Sequence, residues 1–294
     1  MQDAVTVFLG IIFEATPFIL LGVLISSVLH IFIKDETILR LIPKHPLLGV
    51  LAGACVGFLF PVCECGNIPV AKRLLKKHVP PYIVTTFLLA APVCNPIVIF
   101  STIVAFKDQP EMVWMRVGFT LLIACIIGLL MSLSKNPADL IVVTPDQHDH
   151  DSCCTTHSPK VSLRELFPNI AKEFIEMMSI LIIGAGIAAV VQGLLPRTLI
   201  TTIGDGPVLS VLCMMLLAAV ISICSTVDAF FALSYTSSFT SPSILAFLIF
   251  GPMIDIKTII MLRGIYKGKT IFWIATLSAL MTMAITLFMN LHIS

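Results

Sequence analysis

Cys63-Glu64-Cys65 sets two thiols around a carboxyl on three consecutive residues, between Pro61 and Gly66. Thiolates are soft ligands that select soft metals and metalloids. Cys94 and Cys224 stand at similar interruptions of apolar sequence, so three or four sulfurs could converge on one point. Cys55, Cys125 and Cys213 lie inside apolar runs and read as small packing residues. Carboxyls form a second set. Glu14, Glu64, Asp228 and Asp255 lie within or against apolar stretches, and Glu176 stands near the start of another. A carboxylate in lipid is costly, so each marks either a solute path or the cap of a broken helix. Asn67, Asn95 and Thr226 add neutral polar groups at the same interruptions. A third cluster, His148, His150, Cys153, Cys154 and His157, offers nitrogen and sulfur donors suited to a divalent transition metal such as Zn or Cu. Its spacing matches no standard finger, and a solvated linker is the competing reading.

The elements that must hold these groups are membrane helices. Of 294 residues, 57% are apolar and 12% charged, with a mean hydropathy of +1.03. A water-soluble domain carries about 25% charged residues, so an ordinary soluble fold is excluded. The net charge of +1 gives no field that would draw nucleic acid. Apolar stretches at 4–33, 46–62, 81–106, 112–134, 174–195, 206–224, 241–262 and 270–291 predict about eight spans. The start, Met-Gln-Asp with no basic residue before Lys34, reads as a retained first span and not a signal peptide.

Segments 63–78 and 225–239 are too short to cross alone. They are either halves of broken helices, the favoured reading, or re-entrant arms. Basic residues in 72–78 and 135–172 point to a cytoplasmic face with both termini inside, although Lys34, Arg263 and Lys267 then fall on the other side.

The two halves repeat one pattern. Phe13-Glu14-Ala15 matches Ile175-Glu176-Met177, Val62-Cys63-Glu64-Cys65 matches Ile223-Cys224-Ser225-Thr226, and Ala91-Pro92-Val93 matches Gly251-Pro252-Met253. The offsets of 162, 161 and 160 need only single-residue slips. The expected architecture is therefore an all-α polytopic membrane protein. A first repeat covers 1–134, a hydrophilic loop 135–160 and a second repeat 161–294, with four helices per repeat and broken or re-entrant helices at the repeat centres. Four spans per repeat make the halves parallel; re-entrant arms allow them to be inverted.

Pro61-Val-Cys63-Glu-Cys65-Gly66-Asn-Ile-Pro69, Ala91-Pro92-Val93-Cys94-Asn95-Pro96 and Thr226-Val-Asp228-Ala-Phe-Phe231 resemble the predicted permeases of the ArsP/YraQ type. The resemblance spans nearly the whole chain. It implies a multi-pass permease of the inner (plasma) membrane, and some such permeases export trivalent organoarsenicals through membrane cysteines. By position, Cys63 and Cys65 become the leading thiols. The expected function is a secondary transporter, not an enzyme, that moves a small solute such as a thiophilic metal(loid) or organoarsenical. Its path would be lined by Cys63, Glu64, Cys65, Asn67, Cys94, Asn95, Cys224, Thr226, Asp228 and Asp255. The alternative is a transmembrane thiol-disulfide electron carrier pairing Cys63 with Cys94. Expected partners are the bilayer and the solute, with homo-oligomerisation left open. The expected cofactor is at most a divalent metal on 148–157.

Overall fold

The computed structural model describes residues 2–32, 43, 45–59, 62–134, 140–142, 163–194, 206–236 and 238–292. The first half contains α1 (Gln2–Phe32), α2 (Pro46–Leu59), α3 (Glu64–Lys76), α4 (Pro81–Cys94), α5 (Pro96–Ala105) and α6 (Pro110–Ser132). The second contains α7 (Leu163–Leu194), α8 (Pro207–Ile221), α9 (Asp228–Leu233), α10 (Ser241–Met253), α11 (Ile256–Leu262) and α12 (Gly268–His292). The described residues contain no β-strand, and Ile141 and Tyr266 form one isolated antiparallel bridge.

Proline sets many of the helix starts. Pro81, Pro96, Pro110 and Pro207 stand in the first helical turn, where a missing amide hydrogen costs nothing. Asn95 and Asp255 interrupt what would otherwise be continuous helices, and each side chain accepts the amide of the segment that follows, at Ile97 and Thr258. α4 with α5, and α10 with α11, are thus single spans broken in the middle.

Among the described residues, six helical stretches are long and apolar enough to cross a membrane: Val5–Val28, Pro81–Ala105, Pro110–Ser132, Ile170–Gln192, Ser241–Leu262 and Gly268–Leu291. The expected spans at 46–62 and 206–224 appear instead as the shorter apolar helices Pro46–Phe58 and Val208–Ile221. With 14 residues, α2 reaches about 21 Å, short of the roughly 30 Å hydrocarbon core. The eight expected spans are therefore not borne out among the described residues, which hold six long apolar spans and these two shorter helices.

Contacts fix the direction of each element. Ser26 near the end of α1 donates to Glu173 near the start of α7, and Phe8 lies against Gly186, so α1 and α7 are antiparallel. Gly49 at the start of α2 meets Tyr82 at the start of α4, and Gly57 meets Ala91, so α2 runs inward beside α4. α3 then returns, and its Lys72 and Arg73 pair with Glu176 and Glu173 at the end where α2 began. α2 and α3 therefore form a helical hairpin that enters and leaves at one end.

Segment 207–239 does the same from the other end. Ser210 bonds Ser243 near the starts of α8 and α10, Gly251 meets Ala218 further in, and Phe239 and Thr240 return beside Asp108 and Glu111 on the wall of a cleft of about 700 Å³.

Thr85 and Tyr266 share a hydrogen bond of 2.8 Å, and the Ile141 bridge joins the same Tyr266. One end of the molecule thus gathers the α3–α4 turn, residues 140–142 and the α11–α12 turn. The expected arrangement put Arg263 and Lys267 across the membrane from the 135–172 connection, but its described residues 140–142 lie against Ile265 to Lys267 at one end. Both helix termini, the start of α1 and the end of α12, lie at the other end. Among the described residues, Lys72, Arg73, Lys76, Lys77, Arg263 and Lys267 lie at the first end, Lys107 lies at the other, and Arg116 and Lys257 are buried.

Candidate functional site

The tips of the two hairpins meet at the middle of the molecule. Ligand atoms of Cys63, Glu64 and Cys224 all lie within 4.8 Å of one another, and each residue is buried. Cys65, Glu14 and Lys257 join them around a cavity of about 10 Å³, near the lower limit for a single water. Glu64 also borders a second cavity of similar size with Thr85 and Tyr266.

The unwound backbone at the first tip is held by amides. Asn67 and Asn95 both donate from Nδ2 to the carbonyl of Val62, each at 3.4 Å, while the carbonyl of Cys63 accepts from the amides of Gly66 and Asn67. Free polar backbone at this depth is tolerated only in such a protein-lined setting. Gly66 makes the approach possible. A Cβ there would overlap the carbonyl oxygen of Phe18 and the side chain of Val62, and one on Gly22 would overlap the carbonyl of Gly66. α1 and α3 are therefore in backbone contact, as small residues permit in membrane helices.

Two buried ion pairs flank the tips. Lys257 Nζ donates to Glu64 Oε1 at 3.1 Å and to the carbonyl of Ser222 at 3.4 Å, and stands 3.6 Å from Asp255 Oδ2. Ser225 donates to the other oxygen of Glu64 at 3.5 Å. Asp255 Oδ1 accepts the Thr258 amide, while its Oδ2 has no hydrogen-bond partner. The second pair joins Arg116 to Asp228 Oδ2 at 2.5 Å, with Arg116 also donating to Thr102 at 2.8 Å. The first pair links α11 to α3, and the second links α6 and α5 to α9.

Of the residues expected on the path, Cys63, Glu64, Cys65 and Cys224 come together, with Asp255 beside them through Lys257. Asn67 and Asn95 support the tip. Cys94 packs in a different apolar cluster from Cys63, Cys65 and Cys224. Thr226 is half-buried in the turn before Asp228. Glu14 borders the central cavity, whereas Glu176 is half-exposed and pairs with Lys72. His148, His150, Cys153, Cys154 and His157 lie outside the described residues.

Arg116 and Lys257 escaped sequence reasoning, although a signal existed. They are the basic residues inside the apolar stretches 112–134 and 241–262, and such a charge needs a buried carboxylate partner.

Comparison with known proteins agrees with the motifs. A family model described as "Predicted permease" matches residues 1–292. The chain is 40% identical to the UPF0718 protein YcgR of Bacillus subtilis (strain 168) over 279 residues, covering 95% of this chain and 94% of that protein. It is 35% identical over 281 residues to a putative two-component membrane permease complex subunit of Streptococcus mutans serotype c, covering 95% and 92%. No solved structure matches. The apolar six-span fold, the motifs at both hairpin tips and a family match over the whole length lead to one conclusion: this chain is a multi-pass membrane protein and belongs to the ArsP-type predicted permease family.

Proposed function

We propose that this permease moves a soft, thiol-seeking metal or metalloid species across the plasma membrane through the point where the two hairpin tips meet. One observation carries the reading: Cys63, Cys224 and Glu64 present two sulfurs and a carboxylate within 4.8 Å, buried at the centre of the bundle. Two thiols and a carboxylate suit a soft ion and give an ordinary organic solute little to hold.

The halves act as inverted repeats. Cys63 and Cys224, like Glu64 and Ser225, are one repeat offset of 161 apart in sequence, and each pair meets directly. Equivalent residues touch one another only near a two-fold axis. α4–α5 and α10–α11 run in opposite directions across that axis, which then lies in the membrane plane. Transporters of this construction bind at the repeat interface near the midplane and expose the site to each side by rocking one repeat against the other. The basic end faces the cytoplasm by the positive-inside rule, which leaves both termini outside. The name of the Streptococcus mutans relative motivates a second membrane subunit for this chain as well.

Orientation has its own test. Cysteines introduced as Lys267→Cys and Asp108→Cys should react from opposite faces of intact cells, Asp108→Cys with an impermeant maleimide and Lys267→Cys only after permeabilisation. An eight-span chain places both on one face, so equal labelling would overturn the hairpin topology.

For the site itself, the full-length protein is reconstituted in liposomes and loaded with Cd²⁺ or phenylarsine oxide. Cys63→Ser and Cys224→Ser should each lower flux of the thiophilic probe by about tenfold or more through loss of one soft ligand. Cys94→Ser should stay within about twofold, since its thiol sits in another cluster. Undiminished flux in both tip variants would reject thiol-mediated transport. A reversible Cys63–Cys94 disulfide trapped in cells would favour the electron carrier instead.

A further inference from the structure

We propose that Lys257 is a tethered cation that holds the solute site in the solute's absence, so that the solute carries positive charge and binds by driving the Lys257 ammonium from Glu64 to Asp255. The inference deepens the proposed function and rests on its thiol site.

The charges around the tip do not balance. Glu14, Glu64 and Asp255 face a single basic group, Lys257, among the described residues. The Arg116–Asp228 pair across the axis matches one cation with one anion. Carboxylate left uncompensated in a buried site is costly, so the central site is built to gain positive charge, whereas the other pair is balanced in charge.

Geometry says how the gain occurs. Lys257 lies between two carboxylates, 3.1 Å from Glu64 and 3.6 Å from Asp255 Oδ2, and that oxygen is buried with no hydrogen-bond partner. The ammonium is a point charge on a flexible stem, so a small displacement exchanges one carboxylate for the other. With Lys257 forward, the cavity is about 10 Å³. Its retreat frees Glu64 Oε1 and leaves the Glu64 carboxylate with the Cys63 and Cys224 sulfurs for one ion. A neutral organometalloid bonds to sulfur but has no charge with which to displace the ammonium. The site therefore favours a soft metal cation over a neutral arsenical.

Asp255 caps α11 through its other oxygen, as Asn95 caps α5. Asp255→Asn therefore preserves the cap and removes only the resting place for Lys257.

The experiment is calorimetric titration of the detergent-purified full-length chain with Cd²⁺ and, separately, with phenylarsine oxide. Lys257→Gln should tighten Cd²⁺ binding by at least about tenfold, and Asp255→Asn should weaken it by at least about tenfold, because removing the competitor and removing its refuge act in opposite directions. Phenylarsine oxide affinity should stay within about threefold in both. Lys257→Gln should also slow Cd²⁺ turnover in liposomes despite the tighter binding, since nothing then displaces the ion. Unchanged or weaker Cd²⁺ binding in Lys257→Gln, with Cys63→Ser still abolishing it, overturns the role of Lys257 and leaves the thiol site standing. Cd²⁺ binding that ignores Cys63→Ser overturns the thiol reading and this inference with it. Should Lys257→Gln fail to fold, Asp255→Asn decides alone: unaltered Cd²⁺ affinity rejects the proposal.

Discussion

Arg116→Met should be among the most damaging single substitutions in the chain. Arg116 and Asp228 are 1% and 2% exposed, so bulk solvent does not reach the pair. Removing the guanidinium leaves the Asp228 carboxylate buried and alone, a change that costs roughly 3–5 kcal/mol, a large part of ordinary folding stability. The Thr102 hydroxyl loses its donor as well. Thermal unfolding in detergent should show a marked fall in Tm for Arg116→Met. The double variant Arg116→Met, Asp228→Asn should recover more than half of that loss, since no unpaired charge remains. Equal stability of the wild type and Arg116→Met would show that the pair does not hold α6 to α9.

Gly66→Ala should abolish transport while sparing much of the fold. The added methyl meets the carbonyl oxygen of Phe18, which is helix backbone and cannot turn aside. Overpacking of this kind costs about 1–3 kcal/mol, and its relief here is displacement of the first hairpin from α1. Cys63 and Cys65 ride on that hairpin, so the tip separates from Cys224 and the three-ligand site opens. Cd²⁺ flux should fall by about tenfold or more for a displacement on the order of 1 Å. Gly10→Ala and Gly118→Ala meet nothing within 4 Å and serve as controls that should behave as wild type. Normal flux in Gly66→Ala would mean that the tip does not need this close contact.

What the sequence determined by itself follows from composition and local chemistry. Apolar content established the membrane class. The repeat offsets linked Cys63 with Cys224 before any contact was known, and the proline and carboxyl-bearing interruptions located the breaks at Asn95 and Asp255. These properties are local: a missing amide, a costly charge or a recurring residue type can be read without knowing what packs nearby.

Direction and pairing belong to the tertiary structure. Hydropathy treats the 14 residues of α2 as a span because a re-entrant arm is as apolar as a crossing helix; the return of Lys72 and Arg73 to Glu176 and Glu173 shows the hairpin. That one difference reverses the parity of each half. It brings Lys72 and Arg73 to the end that also holds Arg263 and Lys267, and under the proposed reading it makes the two halves antiparallel. Lys257 and Arg116 were visible as charges, but their partners lie 193 and 112 residues away in sequence. Which buried charge meets which carboxylate, and whether that leaves a site balanced or short of positive charge, is decided by long-range packing, because a Coulomb interaction depends on distance in space and not on separation along the chain.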